Sequence, residues 1–198
     1  MKKIVALLSV IVLLAACDKD KKIVVMSKGE ADINTDAKTI KATDGASHEE
    51  KTAIVSGNKV VFKLSTPAGE ATVELSENGY YIINAKNDTI IGSYQKYSDP
   101  GLAQNKITQE NLKLRIDSLQ LLSEGKNVSA ANRNFFILPN HAAKITGNKD
   151  ALIVGPYHQM RSAEKIDGKD PEVYRFYSIK EIRNMIGRLQ ALTVGEKK

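Results

Sequence analysis

Alternating apolar and polar positions dominate the middle of the chain. Between residues 52 and 94 apolar side chains recur at every second position, as they do at Val60, Phe62 and Leu64. Short polar turns separate the runs at 67–69, 78–79 and 87–88. A period of two with turn residues between the runs is typical of consecutive β-hairpins. This region therefore predicts an antiparallel β-meander.

Two later segments change to a helical period. Apolar side chains recur at i, i+4 and i+7 from Leu112, and Gly125 follows as a C-terminal stop. The second predicted helix runs from about residue 179 to 193. Ser178 and Glu181 form a capping box at its start, because the hydroxyl and the carboxylate each accept a backbone N–H.

Three further apolar runs, at 134–138, 151–155 and 172–177, predict strands between and around the helices. The pattern as a whole predicts an α+β fold. Its first half is the antiparallel β-meander. Its second, mixed half has two amphipathic helices and about three further strands.

The first residues of the chain have a different pattern. Lys2 and Lys3 precede thirteen residues, 4–16, that are apolar except for Ser9, and Cys17 follows. A positive start, a short apolar segment and small residues at the end are the parts of a secretory signal. A membrane-spanning helix is the alternative, but it needs about 20 apolar residues. The run therefore favours a signal peptide over residues 1–16.

The sequence Leu14-Ala15-Ala16-Cys17 resembles the lipobox of bacterial lipoproteins. In that family the cysteine sulfur receives a diacylglyceryl group, the peptide is cut before the cysteine, and the new amine is usually acylated. The resemblance implies that Cys17 is lipidated with fatty acids such as palmitate, and that the protein is anchored outside the cytoplasm in the cell envelope. The inner membrane, the outer membrane and the cell surface all remain open.

Residues 17–50 are poor in large apolar side chains and rich in Asp, Lys and Gly. Such a segment cannot bury enough surface to offset its ordering entropy, so a flexible tether is expected. The run 23–26 is the exception, and a short added strand is expected there. The predicted organisation is a signal peptide over 1–16, a lipidated cysteine and tether over 17–50, and a single α+β domain over 51–198.

Composition narrows the function only slightly. The chain has 29 Lys and Arg against 23 Asp and Glu. Without Lys2 and Lys3 of the signal the balance is 27 to 23, a net charge of +4. This mild excess does not predict nucleic-acid binding, which needs clustered basic residues. Cys17 is the only cysteine, so no disulfide within the chain is expected.

Motifs for catalysis and metal binding are weak. No nucleophile elbow or phosphate-binding glycine loop occurs in the sequence. A zinc site built on His141 and His158 is disfavoured, because the two lie 17 residues apart without a metal-ligand spacing. The third histidine, His48, falls in the expected tether. The sequence therefore predicts no catalytic residue, no metal and no cofactor.

One loop has the composition of a binding site. After an apolar strand, residues 157–161 combine aromatic, imidazole, thioether and guanidinium groups. Exposed loops on a rigid scaffold frequently carry binding residues, and Tyr and Arg are enriched at binding hot spots. The alternative is that the apolar side chains pack over a sheet edge. The candidate interaction residues are Tyr157, His158, Met160 and Arg161.

These features predict a membrane-anchored envelope lipoprotein that is a non-enzymatic binding or accessory module. Its expected partner is another envelope component, a protein or a glycan, and the lipid on Cys17 attaches it to the membrane. An alternative is a carrier of a small apolar or lipid ligand, because a meander can close into a barrel with a cavity. A divergent hydrolase that uses His141 or His158 is the least favoured hypothesis.

Overall fold

The computed structural model describes residues 19–95, 109–129, 131–156, 165 and 168–195, which form twelve strands and two helices. The helices are α1 (Gln109–Ser123) and α2 (Ile179–Gly195). The strands are β1 (Asp20–Lys28), β2 (Ala31–Asn34), β3 (Thr39–Ala42), β4 (His48–Ser56), β5 (Val60–Thr66), β6 (Gly69–Leu75), β7 (Gly79–Asn84), β8 (Ile90–Gln95), β9 (Asn134–Ile137), β10 (Ala142–Thr146), β11 (Leu152–Val154) and β12 (Val173–Ser178).

The strands form three four-stranded sheets, each of which contains one parallel pair. The inner sheet has the order β10-β7-β1-β4. The outer sheet has the order β2-β3-β5-β6, and the helix-side sheet has the order β11-β12-β8-β9. The predicted α+β class is therefore present, as a mostly β fold with two helices and three mixed sheets.

Strand β1 lies in the inner sheet and is buried on both faces. Ile23 and Val25 point into the core shared with the outer sheet. Val24 and Met26 point into the core shared with the helix-side sheet. Successive side chains of a strand point to opposite faces, so a strand between two packed layers must be apolar at every position. This explains the uninterrupted run 23–26.

Strand β7 is apolar on both faces for the same reason. Tyr81 and Ile83 pack toward the outer sheet, and Tyr80 and Ile82 pack toward the helix-side sheet. A strand that is apolar on both faces is compatible with a ligand cavity inside a barrel, as in the carrier hypothesis. In the structure these side chains pack against the two neighbouring sheets.

The helices cover the free face of the helix-side sheet. Leu112 and Ile116 of α1 meet Ile182 and Ile186 of α2 above Ile91 of β8. The predicted capping box of α2 is present. Its Glu181 N–H donates to the Ser178 hydroxyl at 3.3 Å, and its Ser178 N–H donates to the Glu181 carboxylate at 2.7 Å.

The meander is not found as predicted, although its strands lie where the sequence places them. Among the strands between residues 52 and 94, only β5 and β6 form a hairpin with each other. Strand β7 belongs to the inner sheet, where it pairs with β1 and β10, while β8 belongs to the helix-side sheet. The turns at 78–79 and 87–88 therefore connect different layers. The double-faced apolar pattern of β7 requires a layer on each side, which a simple meander does not supply.

The prediction of a flexible tether is wrong for the described part of the segment 17–50. Residues 20–28 form β1, which pairs with β4 from Asp20–Ser56 to Lys28–His48. Residues 31–34 and 39–42 form β2 and β3. A domain boundary at residue 51 would cut through β4.

The short strand expected at 23–26 is present as part of β1, and two lysines hid the beginning of that strand from the sequence pattern. Lys21 is fully buried, and its ammonium donates to the carbonyl oxygen of Asn58 at 3.4 Å and, more closely, to that of Gly57. Lys22 donates to the carbonyl oxygen of Lys149 at 2.9 Å. Their aliphatic stems pack along the sheet while the charged ends reach main-chain acceptors in turns. A charged position is thus compatible with a central strand.

Candidate functional site

A cleft larger than three other grooves of the described part lies where β1 ends. It has a volume of about 770 Å³. Four segments distant in sequence form its walls: the end of β1, the start of β4, the β7–β8 turn and the first turn of α2. The ionisable side chains that line it are Lys28, His48, Lys86, Asp88, Lys180, Glu181 and Arg183.

Three other grooves lie on the described part of the protein. They have volumes of about 470, 410 and 310 Å³, and the ionisable side chains that line them are exposed. The cleft at the end of β1 differs because one of its lysines is buried. A buried ionisable group in a cleft is a physical indicator of a functional site.

Asn84 holds the turn that carries this lysine. Its side-chain amide donates to the carbonyl oxygens of Asp88 and Ile137, both at 2.9 Å, and its Oδ1 accepts the Lys86 N–H at 2.9 Å. All of these bonds are local to the point where the chain leaves β7 for β8. The turn is therefore rigid, and it fixes the position of Lys86 and Asp88.

Lys86 is the unusual group in the cleft. It is 6% exposed, and no hydrogen-bond acceptor or ion-pair partner of its ammonium is found in the part of the chain that the structure describes. Burial lowers the pKa of Lys86 below its usual value, although the carboxylates of Glu181, Glu50 and Asp88 act in the opposite direction. The side chain of Lys86 is mostly buried and lines the cleft, so an anion that enters the cleft could pair directly with its ammonium.

His48 and Glu50 form a pair at one side of the cleft. The His48 Nε2 lies 2.7 Å from Glu50 Oε1, and because a carboxylate only accepts, that nitrogen carries the proton. The His48 side chain is 9% exposed. Gly155 packs directly against the pair, and a methyl group at this position would overlap both Glu50 Oε1 and His48 Nε2. A larger residue at position 155 would therefore displace the ends of these two side chains.

The N-terminus of α2 forms the opposite wall, but its amides are already bonded. The Ile179 N–H donates to the carbonyl oxygen of Thr89 at 2.9 Å, and the Lys180 N–H donates to Asp88 Oδ2 at 3.4 Å. The capping box satisfies the N–H groups of Ser178 and Glu181. The helix end therefore does not offer free donors, and the positive groups of the cleft are its side chains.

Replacing Lys86 by methionine tests whether the charge of this mostly buried side chain lowers the free energy of unfolding. Because the folded pKa is lowered, the unfolded chain binds the lysine proton more tightly, and the free energy of unfolding rises with pH through the window between the two pKa values. We expect Lys86→Met to be more stable than the wild type at neutral pH, by about 1 kcal/mol.

The difference in free energy of unfolding between Lys86→Met and the wild type should decrease as the pH is raised toward the usual lysine pKa. There the wild-type side chain becomes neutral in both the folded and the unfolded state. Urea unfolding of both chains at several pH values, from neutral to alkaline, measures it. A gap that widened with pH would contradict the assigned direction of the shift.

The structure does not bring the site residues predicted from the sequence together in one place among the described residues. Cys17 and the candidate interaction residues Tyr157, His158, Met160 and Arg161 lie outside the described residues. His141 is exposed and bonds with the carbonyl oxygen of Pro139 at 2.8 Å. Among the described residues no group of three or more His, Cys, Asp or Glu side chains is placed to hold a metal ion.

Lys86 and its neighbours in the cleft were missed. His48 was assigned to the tether, whereas it begins β4 and lines the cleft. The sequence signal for Lys86 is slight: a lysine directly after an apolar strand and before the turn residues at 87–88. Nothing in the sequence indicates that this lysine is buried.

A second polar cluster lies at the opposite end of the sheets. The guanidinium of Arg133 pairs with Glu172, whose carboxylate also accepts the hydroxyls of Tyr174 at 2.5 Å and Thr146 at 3.1 Å. Burial alone would raise the pKa of the Glu172 carboxyl, but these hydrogen bonds, led by that of Tyr174, lower it. The members satisfy one another, so the cluster joins the ends of β10 and β12 without requiring a ligand.

No protein-family model matches the chain, and neither a curated protein nor a solved structure is significantly similar to it. Among the described helices, none has the length and apolar character needed to cross a membrane.

Proposed function

We propose that this protein is an envelope lipoprotein, anchored to a membrane through lipid on Cys17, and that it is a non-enzymatic binding module. Its binding site is the cleft around Lys86, which takes an anionic group of another envelope component. The lipobox resemblance of Leu14-Ala15-Ala16-Cys17 supports the anchor. The buried lysine supports the binding site.

The observation that carries the binding proposal is the burial of Lys86 without a partner among the described residues. Burial removes part of the hydration of this ammonium, which lowers the pKa of Lys86 although nearby carboxylates oppose the shift, and a ligand anion in the cleft would supply a direct counter-ion. Lys28, Lys180 and Arg183 are exposed around the same cleft, and with Lys86 they outnumber the carboxylates of Asp88 and Glu181 that also line it. Their long-range attraction would increase the rate at which an anion arrives.

The favoured ligand chemistry is a carboxylate or phosphate group on a protein or glycan of the envelope. The cleft is open and several polar side chains line it, which suits a group carried on a larger molecule. The interaction loop with Tyr157, His158, Met160 and Arg161 belongs to this proposal, because Gly155 shortly before it contacts the His48–Glu50 pair. Nucleic acid is not an expected partner.

Titration with small anions tests the site. We expect inorganic phosphate and acetate to shift the backbone amide resonances of residues 86–88 and 48–50 of the mature chain, 17–198, carrying Cys17→Ser. The response should be saturable, and Lys86→Met should abolish it because the buried cation that pairs with the anion is gone.

The matched control is Lys180→Met, which removes the same charge from an exposed position of the same cleft. It should weaken the response only slightly, because exposed charges are screened. Equal losses in the two variants would show a general charge effect and would contradict a specific site at Lys86.

A further inference from the structure

We infer that the end of the molecule where β1 begins rests on the membrane surface, and that the Lys86 cleft faces away from it. The inference builds on the proposed lipid anchor at Cys17 and adds the orientation of the domain. It follows from four features: the short link, the fixed start of β1, the polar turns around that start, and the length of β1.

The link between the proposed anchor and the folded structure is very short. The carbonyl oxygen of Lys19 already accepts the Gly57 N–H at 3.2 Å, and the Ser56 hydroxyl donates to Asp20 Oδ1 at 2.5 Å. The chain is therefore held by β4 and the β4–β5 turn two residues after Cys17. Three residues span at most about 11 Å when fully extended. The start of β1 must therefore lie within about 11 Å of Cys17, the residue that carries the proposed lipid.

Strand β1 cannot separate from the sheet to lengthen this link. It pairs with β4 on one side and with β7 on the other, and both of its faces are buried. Lys21 and Lys22 are additionally held by carbonyl oxygens of Asn58 and Lys149. Freeing its first residues would break several main-chain bonds and would take the buried Lys21 ammonium away from its carbonyl acceptors.

Three polar turns surround the start of β1. They are the β4–β5 turn at 57–59, the β6–β7 turn at 76–78 and the β10–β11 turn at 147–150. Their residues are Gly, Asn, Lys, Ser, Glu and Asp, without a large apolar side chain. Such a surface suits contact with lipid headgroups and does not favour insertion into the hydrocarbon. The partner of this surface is therefore the headgroup layer of the anchoring membrane.

The cleft lies at the other end of the same strand. Lys28 and His48 are paired partners at the end of β1, and both line the cleft. A strand rises about 3.3 Å per residue, so the eight steps from Asp20 to Lys28 place the cleft about 26 Å farther from the membrane. With the domain in this orientation, a ligand reaches the cleft from the space beyond the headgroups and not from the bilayer.

Quenching by lipid-bound nitroxides tests the orientation. The full chain is expressed with its signal peptide, and the lipidated product is placed in vesicles of phosphatidylethanolamine and phosphatidylglycerol that carry nitroxide headgroups. Because the sulfur of Cys17 is then a thioether, an introduced cysteine is the only free thiol for a fluorescent label. The two labelled variants are Asn58→Cys, beside the start of β1, and Asn184→Cys, at the cleft; both positions are exposed.

We expect several-fold stronger quenching at position 58 than at position 184. Equal quenching, or stronger quenching at position 184, would overturn the orientation. A spacer of 15 Gly and Ser residues inserted between Asp18 and Lys19 reaches about 20–23 Å. It should reduce quenching at position 58 toward the level at position 184, and unchanged quenching would contradict the argument from the short link.

The anchor itself is checked separately by flotation of the vesicles. The wild-type chain should float with them, and the Cys17→Ser chain should not. Equal flotation of the two chains would contradict the proposed anchor and would leave no basis for the orientation. Lipid-dependent flotation with equal quenching at the two labels would contradict only the orientation.

Discussion

A chain that begins at residue 51 is expected not to fold. It lacks β1, β2, β3 and the first residues of β4, so the inner sheet is divided between β4 and the pair β7–β10. The two cores on either side of that sheet lose the apolar side chains of β1. Although the sequence places a domain boundary at residue 51, in the structure that position lies within β4, and the central strand β1 precedes it.

The size of the effect follows from the four buried side chains of residues 23–26. Each fully buried apolar side chain of this size contributes about 1.5–3 kcal/mol, which amounts to roughly 6–12 kcal/mol for four. A domain has a total stability of about 5–15 kcal/mol, so the fragment has little or nothing left. Circular dichroism and urea unfolding of residues 51–198 and of residues 19–198 compare the two chains directly.

Residues 19–198 are the matched control and should unfold in one cooperative transition. A cooperative transition in the shorter fragment, with a similar strand content, would contradict the central role of β1. Such a result would instead support the sequence-based prediction that residues 17–50 are a flexible tether.

Gly92→Ala is expected to destabilise the protein by about 1–3 kcal/mol, because it overfills a packed core. Gly92 lies in β8 directly opposite Phe176 of β12. A methyl group at Gly92 would overlap the Phe176 ring at Cδ1 and Cε1. The ring is fully buried and packs beside Phe135, so it has no free space into which to move. The free energy of unfolding in urea measures the loss.

The control substitution is Gly147→Ala, because no atom lies within 4 Å of a methyl group at that position. It should change the free energy of unfolding by no more than about 0.5 kcal/mol. Adding Phe176→Leu to Gly92→Ala should cost less than the sum of the two single effects, because the smaller side chain leaves room for the methyl group. Full additivity, or a neutral Gly92→Ala, would contradict the close packing of these two residues.

The elements with a strong local period could be predicted from the sequence. Strands β5 and β6 alternate cleanly because each has one buried face and one exposed face. The capping box at Ser178 and Glu181 marks the start of α2, because both of its hydrogen bonds form within three residues. Signals of this kind depend only on neighbours in the chain.

Strand pairing between layers could not be predicted in the same way. Strand β1 pairs in parallel with β7, which lies more than fifty residues later in the chain. The turn at 78–79 has the composition of a hairpin turn, yet it connects two sheets. Strand β10, over 142–146, was missed because two alanines and a lysine weaken its pattern. Pairing depends on what each apolar face meets, and that partner is distant in sequence.

The candidate site shows the same division. Lys28, His48, Lys86 and Lys180 come from four separate segments, and none belongs to a motif. Whether Lys86 is solvated or buried depends on α2 and on the start of β4 closing over it. Burial then determines its lowered pKa and its value as a binding group.

The sequence by itself determined the local elements and the expectation of a lipid anchor at Cys17, because hydrophobic period, capping residues and the N-terminal pattern act through adjacent residues. Only the tertiary structure decided that the expected tether contains the central strand β1, that the strands form three layers, and that Lys86 is buried. The physical reason is that burial is a property of two surfaces in contact. A lysine or an apolar face acquires its role from the layer packed against it.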